Sequence, residues 1–276
     1  AYMKATCEIC FHHCSLAEGQ IGFCGARKNV DGKVICDNYG KITAIALDPI
    51  EKKPLKHFFP GSYILSIGSY GCNLHCPFCQ NSDISMQYAK IPFRFISPQE
   101  LVNKALELKS NGNIGVAYTY NEPFISYEYV ADCSELVHQN KMKNVMVTNG
   151  TVEEAPLRKI LPLIDAMNID LKGFTDDYYR KLSGNLEVVK RTIEIAAKEC
   201  HIEVTTLIVP GENDSDEEME ALSSWLASID PEIPYHVSRF FPHYRMTEKP
   251  PTPVKTVYHL ADIARKHLKY VYTGNC

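Results

Sequence analysis

Six short apolar runs, each followed by an amphipathic stretch, limit the folds open to this chain more than any other feature. The runs cover residues 63–69, 115–120, 144–148, 166–171, 203–209 and 235–240. Each is rich in Val, Ile or Tyr and ends in turn-forming or polar residues, which is how strands buried on both faces read. The first intervening helix opens on Ser97, Pro98 and Glu100, a cap, a first-turn proline and an acid at capping-box spacing. Leu101, Val102, Ala105 and Leu108 then share one face, and Gly112 lies past the end. Further helices are expected over 124–140, 151–164, 186–199, 215–228 and 253–267, the one at 215–228 carrying Asp216, Glu217 and Glu218 in its first turn. About six strand–helix units predict an α/β protein with a parallel sheet and right-handed crossovers, closed as a barrel or open. In either form the chemistry belongs at the C-terminal ends of the strands.

The residues before the first run read differently. Positions 1–36 are rich in cysteine and poor in apolar period, while 37–62 offer a short strand near 42–47 and a connector with Pro49, Pro54, Pro60 and Gly61. We therefore expect a cysteine-rich, metal-binding extension with its connector over 1–62, and the main α/β domain over 63–276. Eleven of the 276 residues are cysteine, an odd number, and seven of them fall in two tight clusters. Without a visible secretory signal, that pattern points to metal ligation in a reducing cytoplasm and away from a disulfide framework. The apolar stretch around 64–67 is too short to span a bilayer and is soon broken by Gly68 and Gly71. A net charge of −4 gives no bulk attraction for nucleic acid or anionic membranes, so neither is an expected partner.

Directly after the first run come Cys72, Cys76 and Cys79, spaced C-x3-C-x2-C, with Phe78 just before the third cysteine. Three thiolates from one loop can each hold a different iron of a cubane. No fourth cysteine is local, which leaves one metal position open, as a substrate-binding site needs and a closed structural site does not. The competing readings are a zinc site completed by His75 or a remote cysteine, and free thiols. Only one C-x2-C hook is present in this loop, which counts against zinc.

The triplet resembles that of radical S-adenosylmethionine (SAM) enzymes. Its surroundings are similar to the glycyl-radical-enzyme activase branch that includes the pyruvate formate-lyase activating enzyme. The segments Asp48-Pro49-Ile50-Glu51-Lys52-Lys53-Pro54-Leu55, His57-Phe58-Phe59-Pro60-Gly61 and Gly71-Cys72-Asn73 look more closely like AmmeMemoRadiSam-system radical SAM proteins. The resemblance runs over essentially the whole chain. It implies a partial (β/α)6 TIM-like barrel and a [4Fe–4S] cluster on Cys72, Cys76 and Cys79, with SAM chelating the open iron. A reduced cluster would then cleave SAM to a 5′-deoxyadenosyl radical, with electrons from a donor such as flavodoxin or ferredoxin.

The same resemblance nominates cofactor-binding residues at strand ends. Glu122-Pro123 stands where the family commonly has Gly-Gly-Glu-Pro, so Glu122 is a candidate for the SAM ammonium, although Tyr120-Asn121 replaces the two glycines. Asn149 would meet the ribose or carboxylate region and Lys172 the carboxylate. Asp170, two residues from Lys172 and thus on the same side of a strand, would orient it or contribute to a small cation site. His236 would lie near the ribose, and Phe78 beside the cluster. Arg239 could meet an anionic substrate or a neighbouring acid, and the turn Val209-Pro210-Gly211-Glu212-Asn213 could shape an adenine pocket. By themselves Glu122 reads equally as a helix N-terminal acid, Lys172–Asp170 as a salt bridge and His236 as a satisfied core histidine.

Cys7, Cys10, Cys14 and Cys24 are spaced C-x2-C-x3-C-x9-C, with His12 and His13 between them and Cys36 shortly after. Four ligands in a segment with so little apolar pattern suggest a metal in place of a core, either zinc or a second iron–sulfur cluster, with unligated thiols as the bland alternative. Cys133 and Cys200 fall in expected helices and read as buried fillers. Three functions follow: a radical enzyme acting directly on a small molecule or modified residue, an activase installing a glycyl radical on a partner enzyme, and a non-catalytic iron–sulfur or zinc protein. SAM-binding candidates at strand ends count against the third.

Overall fold

The computed structural model describes residues 3–86 and 90–276. Its main sheet has eight strands: β1 (Ala44–Pro49), β2 (Tyr63–Gly68), β3 (Asn113–Tyr118), β4 (Lys143–Thr148), β5 (Ala166–Asp170), β6 (His201–Ile208), β7 (Tyr235–Arg239) and β8 (Val271–Gly274). They lie side by side in chain order, with β1 and β8 at the two edges, so the sheet is an open, partial barrel. β2 to β8 pair in parallel and β1 runs antiparallel to β2. Helices cross between successive parallel strands: α1 (Pro98–Glu107), α2 (Tyr127–Gln139), α3 (Glu154–Ile160), α4 (Asp176–Lys181), α5 (Leu186–Ala196), α6 (Asp216–Ile229) and α7 (Val254–Ala264).

The six apolar runs are β2 to β7, with ends within two residues of those expected. The capping box at Ser97 and Glu100 forms in both directions, a local stabilisation of about 1 kcal/mol. Two strands differ from the sequence reading. The stretch at 42–47 divides into Lys41–Ile42, which pairs with Arg94–Phe95, and β1, which joins the main sheet. β8 is short and only half-buried, so it carried too little apolar pattern to be seen.

Side chains alternate across the sheet. Leu65, Ile67, Val116, Tyr118, Met146 and Ile169 point outward into the core beneath the helices. Ile64, Ala117, Val145 and Ala166 point inward and meet Ile50, Leu55 and Phe58 of the β1–β2 connector, which floors the concave face. Buried Glu203 fastens this floor, accepting the backbone N–H of Lys56 at 2.9 Å and of His57 at 3.0 Å, with His201 and His236 on the same carboxylate. Burial works against its charge, yet these four partners hold its carboxyl down to about 2.

Residues 3–36 form two short antiparallel pairs, Ala5–Thr6 with Ser15–Leu16 and Arg27–Val30 with Lys33–Cys36. Arg27 anchors them to the barrel through a bidentate pair with Glu128 at 2.9 and 2.7 Å. No helix among the described residues is long and apolar enough to cross a membrane.

Candidate active site

β2 delivers the chain into the cysteine loop at Ser69, and Asn121 pins that loop to the end of β3. Asn121 Oδ1 accepts Ser69 N–H at 2.9 Å, and its Nδ2 donates to the carbonyls of Tyr70 and Gly71 at 3.1 and 3.2 Å. Tyr120 keeps a φ of 68°, the left-handed region a glycine would favour, which costs an L residue roughly 1–2 kcal/mol. Its hydroxyl donates to Asp48 at 2.6 Å, and Lys53 lies over its ring while pairing with Asp48 at 2.9 Å. Tyr120 and Asn121 thus hold a left-handed turn and supply two side-chain anchors. Gly71, at φ 91°, is pressed on the extension: a Cβ there would stand 2.4 Å from the Cys24 carbonyl oxygen.

The loop brings Cys72, Cys76 and Cys79 into one apolar cluster with Leu74, Phe78 and Tyr178. The N–H of Leu74 donates to Cys72 Sγ at 3.4 Å, and Asn149 Nδ2 does so at 3.6 Å. Burial pushes the Cys72 thiol far above its ordinary range and Cys76 up to about 11. A bound cation reverses that preference, because it stabilises the thiolate directly.

The strand ends around the loop carry most of the expected residues. Asn149 follows β4 and also donates to Asn73 Oδ1 at 3.0 Å. Lys172, just beyond β5, pairs with Asp170 at 2.9 Å. Burial opposes its charge, but Asp170 and nearby Cys76 hold its pKa above the usual lysine range. Glu122 is enclosed. Its carboxylate accepts Thr148 Oγ1 at 2.6 Å and the backbone N–H of Asn149 at 2.9 Å and Phe124 at 3.3 Å. Burial outweighs these bonds and pushes its carboxyl up to about 7. As it stands, this carboxylate braces the ends of β3 and β4 against each other.

His236 keeps different company. It is the second residue of β7 and bonds Glu203 at 2.8 Å above the connector floor, so the expectation of a position close to the strand's C-terminal end does not match. Arg239 is at that end, but its Nε donates to the Thr252 carbonyl at 2.7 Å. Sequence reasoning named three asparagines in passing without seeing that they fix the site. Asn73 is fully buried and donates to the Thr151 carbonyl, Asn121 clamps the cysteine loop, and Asn213 donates to the carbonyls of Lys172 and Leu207 at 2.7 and 2.8 Å. Their signal was present only as asparagines beside strand ends, which loops supply in any case. At the other end of the loop, Cys7, Cys10, Cys14 and Cys24 line a single hollow. Cys133 is buried without exposure, as expected, and Cys200 is half-buried.

A family model for the radical SAM superfamily matches residues 66–225. The chain belongs to that superfamily. An uncharacterized protein of Methanocaldococcus jannaschii is 43% identical to this radical SAM chain over 277 residues, spanning 99% of it and 81% of that protein. A putative glycyl-radical enzyme activating enzyme of the same organism is 22% identical over 214 residues, 75% of this chain and 79% of that one. Among solved structures, Streptococcus suis SuiB bound to SAM shares the fold with a TM-score of 0.57 at 14% identity, over 77% of this chain and 52% of that one. A domain of a pyruvate-formate lyase-activating enzyme from Bacteroides vulgatus gives 0.50 at 16%, over 59% of this chain and 99% of that domain.

Radical SAM enzymes use a [4Fe–4S] cluster and SAM, and the residues present fit such a group. Three thiols of one loop share an apolar cluster with N–H donors on Cys72. The Tyr178 hydroxyl, packed in that same cluster, is buried with no partner among the described residues. Such an orphan donor is stabilised once a sulfur acceptor arrives.

Proposed function

We propose that this radical SAM enzyme cleaves SAM reductively at a cluster held by Cys72, Cys76 and Cys79, for hydrogen abstraction from a small molecule or modified residue. The observation that carries this reading is the packing of the three thiols into one cluster at the C-terminal end of the first parallel strand. A [4Fe–4S] cluster held by Cys72, Cys76 and Cys79 would, when reduced, supply one electron to the sulfonium of SAM, giving methionine and a 5′-deoxyadenosyl radical. The protein's part is orientation and exclusion of water. Lys172, aimed by Asp170, would neutralise the SAM carboxylate through a charge-assisted bond. Asn149 would meet the ribose or carboxylate region while donating toward Cys72, and Phe78 would shield the cluster. Glu122 would act on the ammonium through the turn it braces. His236 would hold the lumen wall through Glu203.

The choice of target rests on the concave face. Above the apolar floor it carries Asp48, Tyr120, Asn168 and Thr205, hydrogen-bonded polar groups suited to a small polar substrate. A second reading, installation of a glycyl radical on a partner enzyme, is favoured by the likeness to a putative activating enzyme. Electrons would come from a low-potential donor such as flavodoxin or ferredoxin. The test is anaerobic reconstitution with SAM and dithionite. Release of 5′-deoxyadenosine supports cleavage, and an intact, reducible cluster that yields none refutes it. A glycyl-radical signal in electron paramagnetic resonance, seen only with a partner enzyme, would select the second reading.

A further inference from the structure

One buried hydroxyl beside the cysteine loop has nothing to bond. Tyr178 is 3% exposed, and its Oη has no hydrogen-bond partner among the described residues. Leu74, Phe78, Leu182, Val209 and Phe240 share its cluster, and none of these side chains offers an acceptor. A buried hydroxyl left unpaired is destabilising, and a phenylalanine ring would fill the same apolar space without that cost.

Three contacts fix where the ring lies. Thr175 caps α4 by accepting the Tyr178 N–H at 3.2 Å. Gly173, next to Lys172, makes room for the ring: a Cβ there would stand 2.5 Å from Tyr178 Cδ1. Just past the end of α4, the Leu182 carbonyl accepts the His75 N–H at 2.9 Å. The helix is thus tied to the cysteine loop one residue before Cys76. Tyr179, the next residue, has its hydroxyl occupied by the Lys172 N–H at 2.9 Å. Of two adjacent tyrosines, the barrel satisfies one hydroxyl and leaves the other over.

The polar groups nearby narrow the missing acceptor. Burial pushes the Tyr178 phenol's pKa up, and the charges that act on it next are those of Cys76, Lys172 and Glu212, in that order. Lys172 has donors only. Glu212 is held by Lys181 at 3.0 Å and by Lys249 at 3.8 Å. Cys76 remains. Its neighbour Cys72 already receives N–H donors from Leu74 and Asn149.

We propose that the Tyr178 hydroxyl donates to sulfur at the Cys76 corner of the loaded site and sets how readily the cluster there is reduced. The proposal rests on reading the Cys72–Cys79 loop as a cluster site. Reduction adds one negative charge, spread over the sulfurs. A donor therefore stabilises the reduced form more than the oxidised one and raises the potential. Apolar packing strengthens the bond, because no water competes for the hydroxyl. Tyr178 in this way keeps a low-potential centre within reach of its electron donor.

The test is a redox titration of the anaerobically reconstituted full chain without SAM, followed by electron paramagnetic resonance. Tyr178→Phe should take up as much iron as wild type and show a more negative midpoint. Losing one such bond should make reduction roughly tenfold less favourable, which is about 59 mV for one electron. Tyr118→Phe removes another buried hydroxyl, one bonded to Asn144 at 3.1 Å in the core beneath the helices, and should leave the midpoint alone. Fluorotyrosine incorporated throughout the wild-type chain makes each phenol a stronger donor, and should move the midpoint the opposite way whatever becomes of the Phe variant. With an electron donor of fixed potential, Tyr178→Phe should release less 5′-deoxyadenosine, and a stronger reductant should restore it. A midpoint unchanged by either replacement would overturn the proposal. So would a shift that appears only with SAM and together with weaker SAM binding, because the hydroxyl would then serve SAM. A wild-type chain that takes up no iron at the loop would instead sink the cluster reading itself.

Discussion

The two cysteine regions solve opposite problems. The loop at Cys72–Cys79 is carried on a finished scaffold: β2 is buried, Asn121 clamps the loop's entry, and Leu74, Phe78 and Tyr178 pack beneath it. The extension has no such support. Its strands are two to four residues long, and its buried cluster is Cys24 and Ala26 against Ile125 of the barrel. In the first region the fold itself positions the thiols; in the second, any metal the thiols took up would have to help hold the fold.

The sharpest break of this comparison is Cys76→Ala. It should eliminate iron at the loop and all 5′-deoxyadenosine, while the barrel melts close to wild type by circular dichroism. Removing metal from the whole chain should act next most strongly, and unequally. Hydrogen exchange should show residues 3–36 losing protection while α5 to α7 keep theirs, and equal retention in both would refute the contrast. Third, Glu122→Ala leaves three donors unpaired, at about 1–3 kcal/mol for each one that water fails to reach. Denaturant midpoints should show that loss in the barrel and none in the extension. Fourth, Lys172→Met should weaken SAM binding roughly tenfold, about 1.4 kcal/mol, with loop iron unchanged; calorimetric titration reads it.

The last effect concerns pH. Folding holds the Glu203 carboxyl at about 2, below its ordinary 4.5. Its ionised form is therefore favoured in the folded chain, so this contribution is complete above about 4.5 and fades as pH falls from there toward 2. Thermal melts should show wild type losing stability more steeply across that window than Glu203→Gln. Parallel curves would remove Glu203 as the fastener of the floor.

Much of this was legible in the residues. β2 to β7 declared themselves because strands covered on both faces need continuous apolar runs, and α1 because its cap and first turn are local chemistry. The cysteine triplet was equally plain, since ligand spacing within one loop is a short-range property. β8 was not legible, because a half-buried edge strand needs little apolar pattern. The position of His236 was not either: its strand could be named, but the carboxylate across from it comes from Glu203, 33 residues earlier in the chain. Glu122 likewise could be marked as an acid at a strand end, while its enclosure depends on Thr148 from the next strand.

The sequence by itself determined the parallel α/β plan, the family and the two sets of thiols, because each depends on pattern or spacing within a few dozen residues. Only the tertiary structure decided that the two sets touch. The Cys24 carbonyl meets the Cys72 amide across 48 positions of chain, and Gly71 is glycine because that carbonyl lies where a side chain would begin. Contacts of that kind are set by how the extension docks on the barrel, and docking is a sum over side chains scattered along the whole chain.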